Sequence, residues 1–400
     1  MTNVVLDLPY VPVPPGRGRI WPLLLGWYAP WLLRGRFGVR RTSFHGVERL
    51  RASLRSGHGV LLAPNHCREE DPFVVGLLCR RAGTAPYTMA SRHIFEGGGL
   101  VPFLLTRAGA FSVHREGIDR AAVNTAIDLL EEGRRPLVLF GEGHIARTND
   151  RLNLLQEGVS LIARTAARRR TKAGAPGGVL VHPVAIRYRI LGDAAAALER
   201  PLSEIEERIG LRRDPSLGPG DRVRRIGSAL FEEKEREILG GRGEGDFASR
   251  QGRLVEALLR PLEEEWTDGP AEGGIYGRVK RLRTLLLAGM IGGAVDDAER
   301  ARRWRQLDAA DLALRISLYP PEYLEDDPSP ERLLETVERL EEDLTGTLRV
   351  HASLSAEATV GEAIPVDPGR TDRGGEDPLL AAVAADLRSL LGIADGNGTA

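Results

Sequence analysis

A histidine and an aspartate with four residues between them, His66 and Asp71, follow the apolar run Gly59-Val60-Leu61-Leu62-Ala63-Pro64. Imidazole ionises near neutral pH, so it is the side chain best matched to taking up a proton there. A carboxylate beside it holds the ring in one tautomer and stabilises the imidazolium that forms. Such a pair can deprotonate a hydroxyl without a serine nucleophile or a metal, which suits acyl transfer from a thioester to an alcohol with no covalent intermediate. Two plainer readings compete: a satisfied core histidine, and an aspartate that caps the helix beginning at Pro72. Cys67 adjoins His66, so a thiol nucleophile is weighed too, against the commoner role of cysteine as a small buried hydrophobe.

Three further segments carry polar residues at the ends of apolar runs. In Gly109-Ala110-Phe111-Ser112-Val113-His114-Arg115 a strand delivers an arginine. Its planar, permanently charged guanidinium fits a phosphate clamp, and the alternative is a surface ion pair with Glu116. In Leu139-Phe140-Gly141-Glu142-Gly143-His144 a carboxylate stands between glycines, where the backbone can approach a ligand closely. The plainer reading is a turn carboxylate. The fourth segment, His182-Pro183-Val184-Ala185-Ile186, reads as a buried strand.

In order and spacing these segments resemble the glycerol-3-phosphate and lysophosphatidate acyltransferase family. Its blocks read His-x-x-x-x-Asp, Gly-x-x-x-x-x-Arg, Phe-Pro-Glu-Gly-Thr-Arg and Val-Pro-Val-Ala-Ile, and the resemblance spans about residues 40–190. It implies His66 and Asp71 as catalytic residues, and Arg115, Glu142, Gly143, His144 and Arg147 in substrate binding or in ordering the site. It implies acyl-CoA or acyl carrier protein as cosubstrate, no metal or other cofactor, and lysophosphatidate as the default acceptor. The third block departs from the pattern. Gly141 replaces the proline, His144 the threonine and Ile145 the first arginine, while Arg147 falls where a second arginine often stands. His144 then either replaces the missing donor or marks an acceptor without phosphate. His114 stands where the family often has aspartate.

Strands are expected at Gly59–Pro64, Tyr87–Ser91, Ala110–Val113, Leu137–Phe140 and Val179–Ile186, and helices at Pro72–Arg81, Gly117–Glu132 and Leu154–Arg169. Their alternation predicts an α/β class fold, a mixed sheet flanked by helices. Residues 43–192 are read as this core. Residues 193–347 are read as a helical insertion, with helices at Ala194–Ile209, Asp221–Leu239, Arg250–Trp266, Gly277–Gly289, Asp296–Leu318 and Pro330–Leu344. Strand character returns in residues 348–394, at Leu348–Leu354 and Ala358–Pro365 before a last helix at Pro378–Leu391. Two consecutive domains are the competing arrangement. Residues 395–400 read as a disordered tail.

The chain has 400 residues, 42% hydrophobic and 28% charged, and its net charge of -1 gives no global pull toward nucleic acid. Two cysteines make neither a disulfide framework nor a paired zinc motif. No signal peptide, nucleophile elbow, Walker loop or His-Glu-x-x-His site is visible. Residues 1–42 are read as a membrane-interface segment. The apolar run Ile20 to Leu33 is shorter than the roughly 20 residues a spanning helix needs. It carries Trp21, Trp27, Tyr28 and Trp31, with Arg34, Arg36, Arg40 and Arg41 just beyond. Indole rings beside cations suit a lipid surface. The expectation is peripheral or monotopic attachment at the cytoplasmic face, against a hydrophobic arm packed on the protein's own core. Arg278 to Ile291 offers a second membrane contact or a helix-packing face. Two functional rivals remain: a thioester hydrolase, and a non-catalytic lipid-binding relative.

Overall fold

The computed structural model describes residues 7–393 apart from 118, 268, 270–273, 292, 326 and 370–376. The expected tail at 395–400 lies outside the described residues. In chain order the elements are α1 (Ile20–Arg36), β1 (Val39–His45), α2 (Val47–Arg55), β2 (Gly59–Pro64), α3 (Asp71–Arg81), β3 (Tyr87–Ser91), α4 (Leu100–Ala108), β4 (Ala110–Val113), α5 (Arg120–Glu132), β5 (Leu137–Val138), α6 (Gly158–Lys172) and β6 (Val179–Leu191). The helical stretch follows as α7 (Ala194–Arg208), α8 (Pro219–Leu239), α9 (Phe247–Trp266), α10 (Ile275–Leu287), α11 (Asp297–Ser317) and α12 (Pro330–Thr345). The chain closes with β7 (Ser353–Val360), β8 (Ile364–Pro365) and α13 (Pro378–Leu391).

One eight-stranded mixed sheet organises the molecule, in the order β1-β7-β6-β2-β5-β3-β4, with β8 pairing β6. Strands β6, β2, β5, β3 and β4 run parallel to one another, and β7 is antiparallel to β6. β2 is buried at every residue, which is why its sequence is a continuous apolar run rather than an alternating one. Its odd and even positions serve two cores. Val60 and Leu62 join a cluster with α3, α7, α8 and α12 on one face, and Leu61 and Ala63 join a cluster with α5, α6 and α13 on the other.

The helical stretch between β6 and β7 divides in the same terms. α7, α8 and α12 pack their apolar residues on the sheet, through Leu202, Ile226 and Val337 among others, while α9, α10 and α11 close a core of their own around Leu259, Leu282 and Leu314. The basic and apolar run Arg278 to Ile291 is settled by that core. Leu282, Leu286 and Met290 are buried in it, Arg278 pairs with Glu256 and Glu263, and Arg283 pairs with Asp311. Its membrane reading therefore gives way to helix packing.

Four elements were not expected: α1, β1, α2 and α4. β1 begins inside the segment assigned to the membrane interface. In place of the expected strands Leu348–Leu354 and Ala358–Pro365 stand β7 (Ser353–Val360) and the short β8 (Ile364–Pro365), and β6 runs on to Leu191, five residues beyond the expected end. α1 continues through Pro30 and buries only Ala29 and Leu33. Among the described residues no helix is long and apolar enough to cross a membrane.

Candidate active site

The carboxyl ends of parallel strands are where an open α/β sheet gathers its ligand-binding loops. β2 leads into Asn65-His66, β4 into His114-Arg115 and β5 into Phe140 to His144. The loop after β2 is anchored at its first residue. The Asn65 side chain accepts from Ile186 N (2.7 Å) and donates to Ile186 O (3.0 Å), so one amide stands in for a strand pairing.

His66 Nδ1 lies 2.9 Å from Asp71 Oδ2. Asp71 is the first residue of α3, fully buried, and its carboxylate does not cap that helix. Instead Oδ2 also accepts from Arg68 N at 2.9 Å, and Oδ1 accepts from the Tyr188 hydroxyl at 2.7 Å. Both carboxylate oxygens are thus held by donors. A carboxylate only accepts, so Nδ1 carries the imidazole proton and Nε2 is left to take one up. The ring stacks on Phe140 with centroids 4.0 Å apart and keeps 15% of its side chain exposed. Cys67 is excluded as a nucleophile by position: it is buried, and desolvation together with Asp71 pushes its thiol well up.

A cavity of about 3010 Å³ opens at His66. Leu25, Tyr28 and Leu32 of α1 and Leu100 and Leu104 of α4 line it, as do Phe73, Arg115, Gly143 and His144. Arg115 donates to Ser91 Oγ (3.1 Å) and to Gly143 O (3.4 Å). Among the described residues no carboxylate pairs with it, because Glu116 is taken by His114 at 3.1 Å. Burial lowers the Arg115 pKa. Gly143 has φ +75°, a left-handed backbone that favours glycine, and a Cβ there would crowd the Tyr276 hydroxyl at 3.0 Å.

Two residues expected to bind substrate are turned away from the cavity. Glu142 is wholly buried, its Oε1 accepting from His66 N (2.8 Å) and its Oε2 from Asn153 N (3.0 Å) and Asn153 Nδ2 (2.7 Å). With its acceptors spent on backbone and amide donors, it orders the His66 loop. Desolvation raises its pKa. Arg147 is buried at φ +57° and donates to Glu342 Oε2 at 2.7 Å and Glu69 Oε1 at 3.3 Å. Its charge is matched inside the protein. His144 does line the cavity, but as a neutral ring: Nδ1 donates to the Glu142 carbonyl (3.0 Å), and burial lowers its pKa to about 4. It therefore does not replace the missing cation of the third block.

The residues that the sequence reading passed over act on the pair. Tyr188 lies two residues beyond the fourth block, on the same strand face as Val184 and Ile186, so extending the strand's period-two pattern would have pointed to it. Arg68 donates its Nη2 to Glu338 Oε2 on α12 at 2.7 Å and its Nε to Glu70 Oε1 at 2.8 Å. No local signal links residue 68 to residue 338.

Residues 41–187 match the family model described as Acyltransferase. That match supports the acyltransferase family. It spans His66, Asp71, Arg115 and the Phe140 to His144 loop, and stops before the helical stretch. No curated protein matches the chain. Acyl transfer is thus the activity that the domain match and the base–carboxylate geometry suggest together.

Proposed function

We propose that the protein transfers a fatty acyl group from an acyl thioester, acyl-CoA or acyl carrier protein, to a hydroxyl of a lysophospholipid-like acceptor. Lysophosphatidate is the default that the sequence resemblance implies. The observation that carries this is the 2.9 Å contact of His66 Nδ1 with buried Asp71, which leaves Nε2 on a cavity with apolar walls and an unpaired arginine. As the acceptor oxygen bonds to the thioester carbon, its proton passes to His66 Nε2. The carbon–sulfur bond then breaks, and the proton goes from the imidazolium to the departing thiolate. Asp71, held by Tyr188 and Arg68 N, steadies the imidazolium between the two steps. Arg115 holds the acceptor phosphate, and the side chains of α1 and α4 take the acyl chain.

Attachment to a lipid surface is part of the proposal. Trp27, Trp31, Leu23 and Leu24 of α1 are exposed beside Leu100, Val101 and Phe103 of α4. Trp21 and Phe103 meet edge to face at 5.6 Å and join the two helices into one patch. Arg34, Arg36 and Arg107 are exposed at its margin. Apolar rings beside arginines suit the interface of an anionic bilayer.

Free-thiol release from palmitoyl-CoA, with and without lysophospholipid, tests the reading. Release should need an acceptor, and His66→Ala should lower it by roughly 10²–10⁴-fold with the circular dichroism spectrum unchanged. Release without acceptor would make the protein a hydrolase, and near-normal activity of His66→Ala would remove the proposed base.

A further inference from the structure

We infer that the acceptor carries, beside its phosphate, a hydroxyl other than the one acylated, and that His144 Nε2 accepts a hydrogen bond from it. The substrate class is then a lysophospholipid with a polyol head group, narrower than the lysophospholipid-like class above and in place of lysophosphatidate, which has no second hydroxyl. This rests on the transferase reading of the same cavity.

At the polar end of the cavity Arg115 donates to Ser91 Oγ, and His93 Nδ1 lies 2.9 Å from the same oxygen. The His144 ring has its proton fixed by its partner. Its Nδ1 faces the carbonyl of Glu142, which only accepts, so the proton is on Nδ1 and Nε2 is a bare lone pair.

That Nε2 is buried and has no partner, in a residue that is 5% exposed and lines the cavity. Tyr276 stacks on the ring at 5.0 Å and fixes its plane. Burial resists protonation of the ring, and the positive charge of His66, Arg339 and Arg115 adds to it, against the Glu142 carbonyl that favours it. A phosphate oxygen there would set lone pair against lone pair. An ammonium group would add a cation beside Arg115. A neutral hydroxyl satisfies the nitrogen without either cost. The hydroxyl under attack gives its proton to His66, so the one that serves His144 is a second.

The matched acceptors are lysophosphatidylglycerol and lysophosphatidylpropanol, which differ only in head-group hydroxyls, assayed with palmitoyl-CoA and the full chain. Wild type should prefer the hydroxylated acceptor by about 10²-fold or more in kcat/KM, since a site built to bond a hydroxyl leaves a buried group unpaired when it is missing. His144→Phe keeps the stacked ring and should bring the ratio near one, the loss in kcat/KM falling on the hydroxylated acceptor. A wild-type ratio near one, or a ratio unchanged in folded His144→Phe, overturns the inference while leaving the transferase reading intact. No His66-dependent transfer to either acceptor overturns both. Should His144→Phe fail to fold, the wild-type ratio alone decides.

Discussion

The loop that carries His66 is gripped from two sides by different chemistry. On the sheet side, Asn65 pairs with the backbone of Ile186, Tyr188 donates to Asp71, and Glu142 accepts from His66 N. The last two of these bonds touch the His66–Asp71 pair directly. On the helical side, α12 offers Glu331, Glu335, Glu338 and Glu342, three or four residues apart and so on one face. They bond Ile190 N (3.1 Å), Asn149 N (3.1 Å), Arg68 (2.7 Å) and Arg147 (2.7 Å). The sheet side sets the chemistry. The helical side sets position, through buried charges that are costly to leave without a partner.

The largest effect should come from the sheet side. Asp71→Asn keeps the shape and loses the charge, so kcat should fall by roughly 10³–10⁴-fold with little change in melting temperature. A variant with nearly full activity would show that the carboxylate does not orient the base. On the other side the balance reverses. Glu338→Ala leaves buried Arg68 with Glu70 alone, and should cost roughly 2–3 kcal/mol of stability in urea titration. The kcat loss should be only about tenfold, because Arg68 N still reaches Asp71. Loss of stability without any fall in kcat would reduce α12 to a packing helix.

Glu335 gives the helical side a pH signature. Its carboxyl is buried on α12, and desolvation pushes it up to about 8 from an ordinary 4.5. Between those values the folded state keeps a proton that the unfolded chain has released. Stability from this group therefore falls as pH rises through that window, by up to about 1.4 kcal/mol per pH unit. Glu335→Gln should remove that slope, which is read as the difference from wild type in urea midpoints between pH 5 and 8, a range set by the same two values. Equal slopes in both proteins would place the charge elsewhere. Trp27→Ser is the smallest change and belongs to neither side. It should weaken partition into anionic vesicles by about tenfold and leave activity in detergent unchanged. A loss of activity in detergent would instead make Trp27 part of the site.

Much of the sheet was legible because its strands differ in burial. β2, β3 and β4 begin and end where the apolar runs do. β1 was missed because Val39-Arg40-Arg41-Thr42-Ser43-Phe44-His45 is mostly exposed and carries no apolar pattern to read. α4 was missed for a related reason: it buries no residue, so its apolar side chains show no inward face. The site divides in the same way. His66, Asp71, Arg115 and Gly143 stand in short motifs that follow strands β2, β4 and β5. Glu142 and Arg147 lie in the same motif but are turned inward, and spacing along the chain does not say which way a loop residue faces.

From the sequence alone came the α/β class, the helical stretch between strands, the pairing of His66 with Asp71, and the departure of the third block from the pattern it resembles. These follow from local periodicity and from residue chemistry, which need no partner distant in the chain. The tertiary structure alone decided that Tyr188 and Arg68 hold Asp71, that α12 braces the loop through Glu338, and that His144 is a neutral acceptor. Each of these depends on which groups, up to 270 residues apart, share a buried volume. Burial and contact decide protonation and charge pairing, and only the folded chain sets them.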